Sequence, residues 1–128
     1  MHELSISSGI IEVARRALAS QPPSASRVLR VDVRVGRLTG IVPEILRHYY
    51  ALLTAGTELE GSTLAVEVVP VRGRCSDCSV AFEVGDLCFR CPHCGSGFPE
   101  IFSGKELEVV SLETAEDGNE NRAVAYGN

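Results

Sequence analysis

Four of the five cysteines fall in two Cys-x-x-Cys pairs, Cys75-Ser76-Asp77-Cys78 and Cys91-Pro92-His93-Cys94, with twelve residues between the pairs. Each pair sets two thiolates on one tight turn. Two such turns brought together by short hairpins present four sulfurs at the corners of a tetrahedron, an arrangement that suits Zn(II). Gly95, just past the second pair, fits a turn whose closing residue needs a left-handed backbone. Redox chemistry is the alternative use of Cys-x-x-Cys, but it takes one pair at the start of a helix, and this stretch has two pairs and no helical pattern. Cys88 stands three residues before Cys91 and competes with Cys94 for the second pair. Pro92 and Gly95 favour the Cys91/Cys94 turn, which leaves Cys88 as a small hydrophobe packed under the ribbon or as an alternative ligand. His93, inside that turn, leaves a Cys3His set open.

A second nitrogen-rich feature opens the chain. In Met1-His2-Glu3 the Met1 amine, the His2 backbone amide and the His2 imidazole would close adjoining chelate rings on one metal ion, with the Glu3 amide or carboxylate as a fourth donor. Such a nitrogen set suits a square-planar divalent ion, Ni(II) or Cu(II). Acid would release it, because both the amine and the imidazole must be unprotonated to bind.

No catalytic constellation accompanies these motifs, and an enzyme is not expected. His48 has Glu44 four residues before it, a spacing that is more often structural than a general base. The chain carries 12 Lys+Arg against 17 Asp+Glu and a formal net charge of -5. Nucleic acid is captured by cationic side chains, so this balance excludes it as a partner. Four thiolates around one Zn(II) add a further net negative charge to the cysteine stretch. No apolar run approaches the ~20 residues that span a bilayer, and no signal-like leader is present, so no membrane partner is expected and the location is cytoplasmic. An odd number of cysteines in metal-like spacing also fits a reducing compartment.

The elements that must carry these residues are legible from periodicity. Ile10, Val13, Ala14, Ala17 and Leu18 recur at helical spacing between Ser7 and about Gln21, where Pro22-Pro23 ends the pattern. Val31, Val33 and Val35 alternate with Asp32 and Arg34, the period of a half-buried strand over 27–36. Pro43-Glu44 opens a second helix to about Thr54, with Leu46, Tyr49, Tyr50 and Leu53 on its apolar face. Thr63–Val69 reads as a strand with Leu64, Val66 and Val68 inward, and 106–113 as another with Leu107, Val109 and Leu112 inward. The expected fold is α+β: two helices packed on a small three-stranded sheet, with an inserted zinc-ribbon module. The expected domains are 1–71 plus 105–115 for the α+β body and 72–104 for the zinc ribbon, with 116–128 as a disordered tail.

Together these motifs resemble the HypA/HybF family of nickel metallochaperones. The resemblance rests on Met1-His2-Glu3-Leu4-Ser5, on Val35-Gly36-Arg37-Leu38-Thr39-Gly40 with Val42-Pro43-Glu44, and on Gly56-Thr57 with Glu60-Gly61. It continues through the two cysteine pairs with Gly95 and through Ser103-Gly104-Lys105-Glu106-Leu107. It implies a transported Ni(II) bound by His2 with the Met1 amine and Glu3, and a structural Zn(II) at Cys75, Cys78, Cys91 and Cys94. The implied role is delivery of nickel during maturation of [NiFe]-hydrogenase and, in some members, urease. The implied partners are a hydrogenase-maturation GTPase, the hydrogenase large subunit and urease accessory proteins, with the chain itself a monomer or weak homodimer. Some members add an acidic contact from the turn before the second helix; here that turn reads Thr39-Gly40-Ile41-Val42, with no acid before Glu44. The alternative function is a zinc-ribbon interaction or regulatory module with no nickel role.

Overall fold

The structure, a computed structural model, describes residues 2–22, 25–85, 88–116 and 119–123. In chain order the elements are α1 (His2–Ala19), β1 (Ala25–Gly36), a 3-10 turn (Arg37–Thr39), α2 (Pro43–Thr54), β2 (Thr63–Val69), β3 (Arg72–Cys75), β4 (Ala81–Glu83), β5 (Pro99–Ser103), β6 (Leu107–Glu116) and β7 (Asn119–Ala123). They group into two units. One takes residues 1–34, 41–67 and 107–128, the other 35–40 and 68–106. The second unit thus includes Val35–Gly40 and starts at Val68, beyond the 72–104 stretch that the cysteines mark in the sequence.

In the first unit α1 begins five residues earlier than periodicity predicts. The reason is a polar residue on its inward face: Ser7 is fully buried, and its hydroxyl donates to the Leu46 carbonyl of α2 at 3.1 Å. Hydropathy cannot see such an anchor, because an unpaired buried hydroxyl is costly and a paired one is not. Ile10, Ile11, Ala14 and Ala17 continue that face and are buried, as are Leu46 and Tyr50 of α2. Tyr50 shares a 2.6 Å hydrogen bond with Ser62, and burial pushes its phenol above the ordinary value. Leu53, predicted inward, is instead exposed, and Thr54 takes its place on the buried face with its hydroxyl donating to the Tyr50 carbonyl.

The sheet runs β2-β1-β6-β7. Val28, Val31, Val33 and Val35 of β1 and Val109 and Leu112 of β6 are buried. The other side of β1 is polar and paired: Arg30 with Asp32, Arg34 with Glu108, and Ser111 donating to Asp32. Two expectations need correction. Val68 is exposed and Val69 buried, so the predicted inward face of β2 holds only at Leu64; a Val-Val pair at the strand's end fits either parity. The sheet has four strands rather than three, because β7 pairs antiparallel with β6, Leu112 opposite Ala123 through Glu116 opposite Asn119. β7 occupies part of the stretch expected to be a disordered tail; 124–128 lie outside the described residues.

The second unit has its own small sheet, β4-β3-β5, all antiparallel. Its core is Val71, Phe82 and Val84 with Cys75 and Cys91, and Leu38, Phe89 and Ile101 pack against it. Leu38 explains why 35–40 belongs to this unit. The same segment makes a close backbone crossing: the Gly36 amide donates to the Glu106 carbonyl at 2.7 Å and the Leu38 amide to the Gly104 carbonyl at 2.8 Å. A Cβ on Gly36 would run into the Gly104 carbonyl, and one on Gly104, whose φ is +108, would fall 2.9 Å from Val71, so neither glycine has room for a side chain. Among the described residues no helix is long and apolar enough to cross a membrane.

Candidate metal centre

The ends of β3 and the two Cys-x-x-Cys turns bring four sulfurs together. The ligand atoms of Cys75, Cys78, Cys91 and Cys94 all lie within 4.8 Å of one another, with Cys75 to Cys94 at 3.4 Å and Cys78 to Cys91 at 3.6 Å. Tetrahedral bonds of about 2.3 Å to zinc place sulfurs about 3.8 Å apart, so the set closes on such an ion with little adjustment.

The two turns are built alike. The Cys75 amide donates to the Val80 carbonyl and the Cys91 amide to the Ser96 carbonyl. The amides of Cys78 and Asp77 point at the Cys75 sulfur, as those of Cys94 and His93 point at the Cys91 sulfur. Each turn closes on a left-handed residue, Ser79 at φ 66 and Gly95 at φ 80. Glycine takes that conformation freely, whereas serine does so at a cost.

Without a cation, four such sulfurs cannot all ionise. The Cys78 amide leads in drawing the Cys75 thiol down to about 6. Cys94 is pushed up to about 12: the Ser96 amide favours its thiolate but is outweighed by the sulfur of Cys75, by desolvation, and by the sulfurs of Cys78 and Cys91. A divalent cation relieves this conflict and takes all four as thiolates, which is the chemistry of a closed structural site.

Two sequence-level alternatives fail. His93 contributes its amide to the Cys91 sulfur at 3.3 Å, while its side chain is exposed and outside the four-sulfur group. Cys88 is exposed rather than packed under the ribbon, and is also outside that group. The neighbouring core positions are taken by Val84 and Phe89. With metal bound, an alkylating reagent is expected to modify one thiol, Cys88, and to modify all five after chelation and denaturation. Mass spectrometry counts them; two or more modified thiols in the loaded protein would contradict this ligand set.

At the other candidate site, Met1 and the His2 side chain lie outside the described residues. Glu3 is described. Its carboxylate accepts a hydrogen bond from the Val42 amide at 3.2 Å, a contact hidden from the sequence because 39 residues separate the partners. Because α1 starts at His2, the amides of His2 and Glu3 have no acceptor inside the helix.

A family model described as "Hydrogenase/urease nickel incorporation, metallochaperone, hypA" matches residues 1–114. A protein of Roseiflexus sp. (strain RS-1) named hydrogenase maturation factor HypA is 38% identical over 124 residues, 96% of this chain and 99% of that protein. One of the same name from Streptomyces avermitilis is 40% identical over 119 residues, 92% and 89% of the two chains. In fold the chain is similar to the solution structure of the Ni metallochaperone HypA from Helicobacter pylori, with a TM-score of 0.61 at 22% identity over 90% of this chain and 98% of the other. On the family match and these relatives, the chain belongs to the HypA family of nickel metallochaperones for hydrogenase and urease nickel incorporation, which are not enzymes.

Proposed function

We propose that this chain loads one Ni(II) at its amino terminus and delivers it during maturation of [NiFe]-hydrogenase, with Zn(II) held permanently by Cys75, Cys78, Cys91 and Cys94. The His2 imidazole is the main side-chain ligand, joined by the Met1 amine, the His2 amide and the Glu3 amide. The observation that carries this is the start of α1 at His2: the first amides have no intrahelical acceptor, so a metal can take their nitrogens without breaking the helix. In this reading the protein works in the cytoplasm, receives help from a maturation GTPase, and hands nickel to the hydrogenase large subunit; urease accessory proteins are further clients.

Nickel titration followed by absorption spectroscopy tests it. Wild type is expected to bind one equivalent, and His2→Ala or acetylation of the Met1 amine to abolish that binding without changing the zinc content. Normal nickel binding by both altered proteins would place the site elsewhere and favour a zinc-ribbon interaction module. The donors bind unprotonated, so apparent affinity is expected to fall at least about tenfold between pH 7.5 and pH 6, as the amine and imidazole take up protons.

A further inference from the structure

The turn before α2 has no acid of its own, yet a carboxylate sits on it. Val42 is the residue preceding the first turn of α2, with an extended backbone (φ -94, ψ 114) and no side chain able to accept from the helix's first amides. Valine is among the poorest residues for this position, and Pro43 follows it. The Val42 amide itself is held from α1, where it donates to Glu3 Oε2 at 3.2 Å. Four residues on, the buried Ser7 hydroxyl donates to the Leu46 carbonyl. Positions three and seven of α1 lie one above the other on the same helix face. The first two turns of α1 are therefore tied to the start of α2 by two polar links, one from a half-buried acid to the residue before the helix and one from a buried hydroxyl to its first turn.

We propose that Glu3 is a positioning residue whose carboxylate fixes the amino-terminal turn of α1 to α2, so that Glu3 offers nickel its backbone nitrogen and not its side chain. This rests on the amino-terminal nickel reading. A carboxylate already accepting from the Val42 amide would have to weaken or give up that bond to bind a metal, and the residue that leads into α2 would lose its link to α1. A terminus held in place loses less freedom on chelating an ion than a frayed one does. The side chain thus raises affinity without joining the ligand set.

The test uses the zinc-loaded full chain as wild type, Glu3→Gln and Glu3→Ala, with far-ultraviolet circular dichroism and zinc content as checks on folding. Glutamine keeps an acceptor oxygen, so Glu3→Gln remains a usable probe should Glu3→Ala fold poorly. In nickel-free protein, hydrogen exchange at the Val42 amide is expected to speed up about fivefold in Glu3→Ala and less in Glu3→Gln, the loss of one hydrogen bond to a charged acceptor. On titration with NiCl2 the dissociation constant is expected to rise about fivefold in Glu3→Ala, with partial rescue in Glu3→Gln, while the nickel absorption bands keep their wild-type positions. A band shift in Glu3→Gln would show the carboxylate to be a ligand and overturn the proposal, as would unchanged Val42 exchange in Glu3→Ala. The two readings fail separately: nickel binding insensitive to His2→Ala would remove the amino-terminal site, whereas the exchange measurement in nickel-free protein judges the tether alone.

Discussion

Removing the metal from the four-sulfur site, or replacing Cys91 by serine, is expected to unfold most of 68–106. Two features drive this. The core of that unit is three apolar side chains, Val71, Phe82 and Val84, with two of the four clustered cysteines, Cys75 and Cys91, completing it. Its strands are short, Arg72–Cys75, Ala81–Glu83 and Pro99–Ser103, and small sheets with so little apolar surface do not hold without a staple. The staple is large: structural zinc contributes on the order of 10 kcal/mol or more to folding in comparable small modules. Loss of metal also leaves four mutually close thiols in conflict over their protons. The measurement is a two-dimensional amide NMR spectrum before and after chelation. Signals from 72–104 are expected to collapse toward random-coil positions, those of α1 and α2 to stay dispersed, and zinc to restore the first set. Persisting dispersion of 72–104 in metal-free protein would show that the apolar core suffices.

Gly36→Ala is expected to destabilise the fold by about 3 kcal/mol, at the upper end of what one added methyl costs in a packed site. The new Cβ would be driven into the Gly104 carbonyl, which is backbone and cannot rotate away. Relief would require giving up the Gly36 to Glu106 and Leu38 to Gly104 hydrogen bonds at 2.7 and 2.8 Å. Gly104 has little room to shift, since its φ of +108 suits glycine alone and the space where its Cβ would stand is closed by Val71 at 2.9 Å. Gly9→Ala is the matching control. Gly9 is exposed within α1 and a Cβ there meets nothing within 4 Å, so the change is expected to stabilise by up to about 1 kcal/mol through helix propensity. Urea unfolding of the metal-loaded protein measures both, and a Gly36→Ala midpoint equal to wild type would mean that the crossing is pliable.

What the sequence disclosed and what it hid divide along a physical line. Cysteines at fixed short spacing are a local signal, so Cys75, Cys78, Cys91 and Cys94 could be named together from the sequence, and their sulfurs cluster in the fold. Alternating valines gave β1, and the Pro43-Glu44 start gave α2. The early start of α1 could not be read, because it depends on Ser7 meeting Leu46 and Glu3 meeting Val42, each across 39 residues. The parity of Val68 and Val69 was ambiguous because both are valines. The exposure of Cys88 was not legible because a lone thiol carries no directional pattern.

The start of α1 at His2 has an electrostatic consequence for any cargo held there. The aligned peptide dipoles of a helix leave roughly half a positive charge at its amino end. In an 18-residue helix such as α1 that pole lies at the proposed nickel-binding residues. A dication seated there is gripped by nitrogen donors and opposed by the field of the helix behind it. That opposition weakens retention more than it hinders a partner with anionic ligands, since such ligands are drawn to the same positive pole. On the proposed amino-terminal site, that field favours release of nickel over storage.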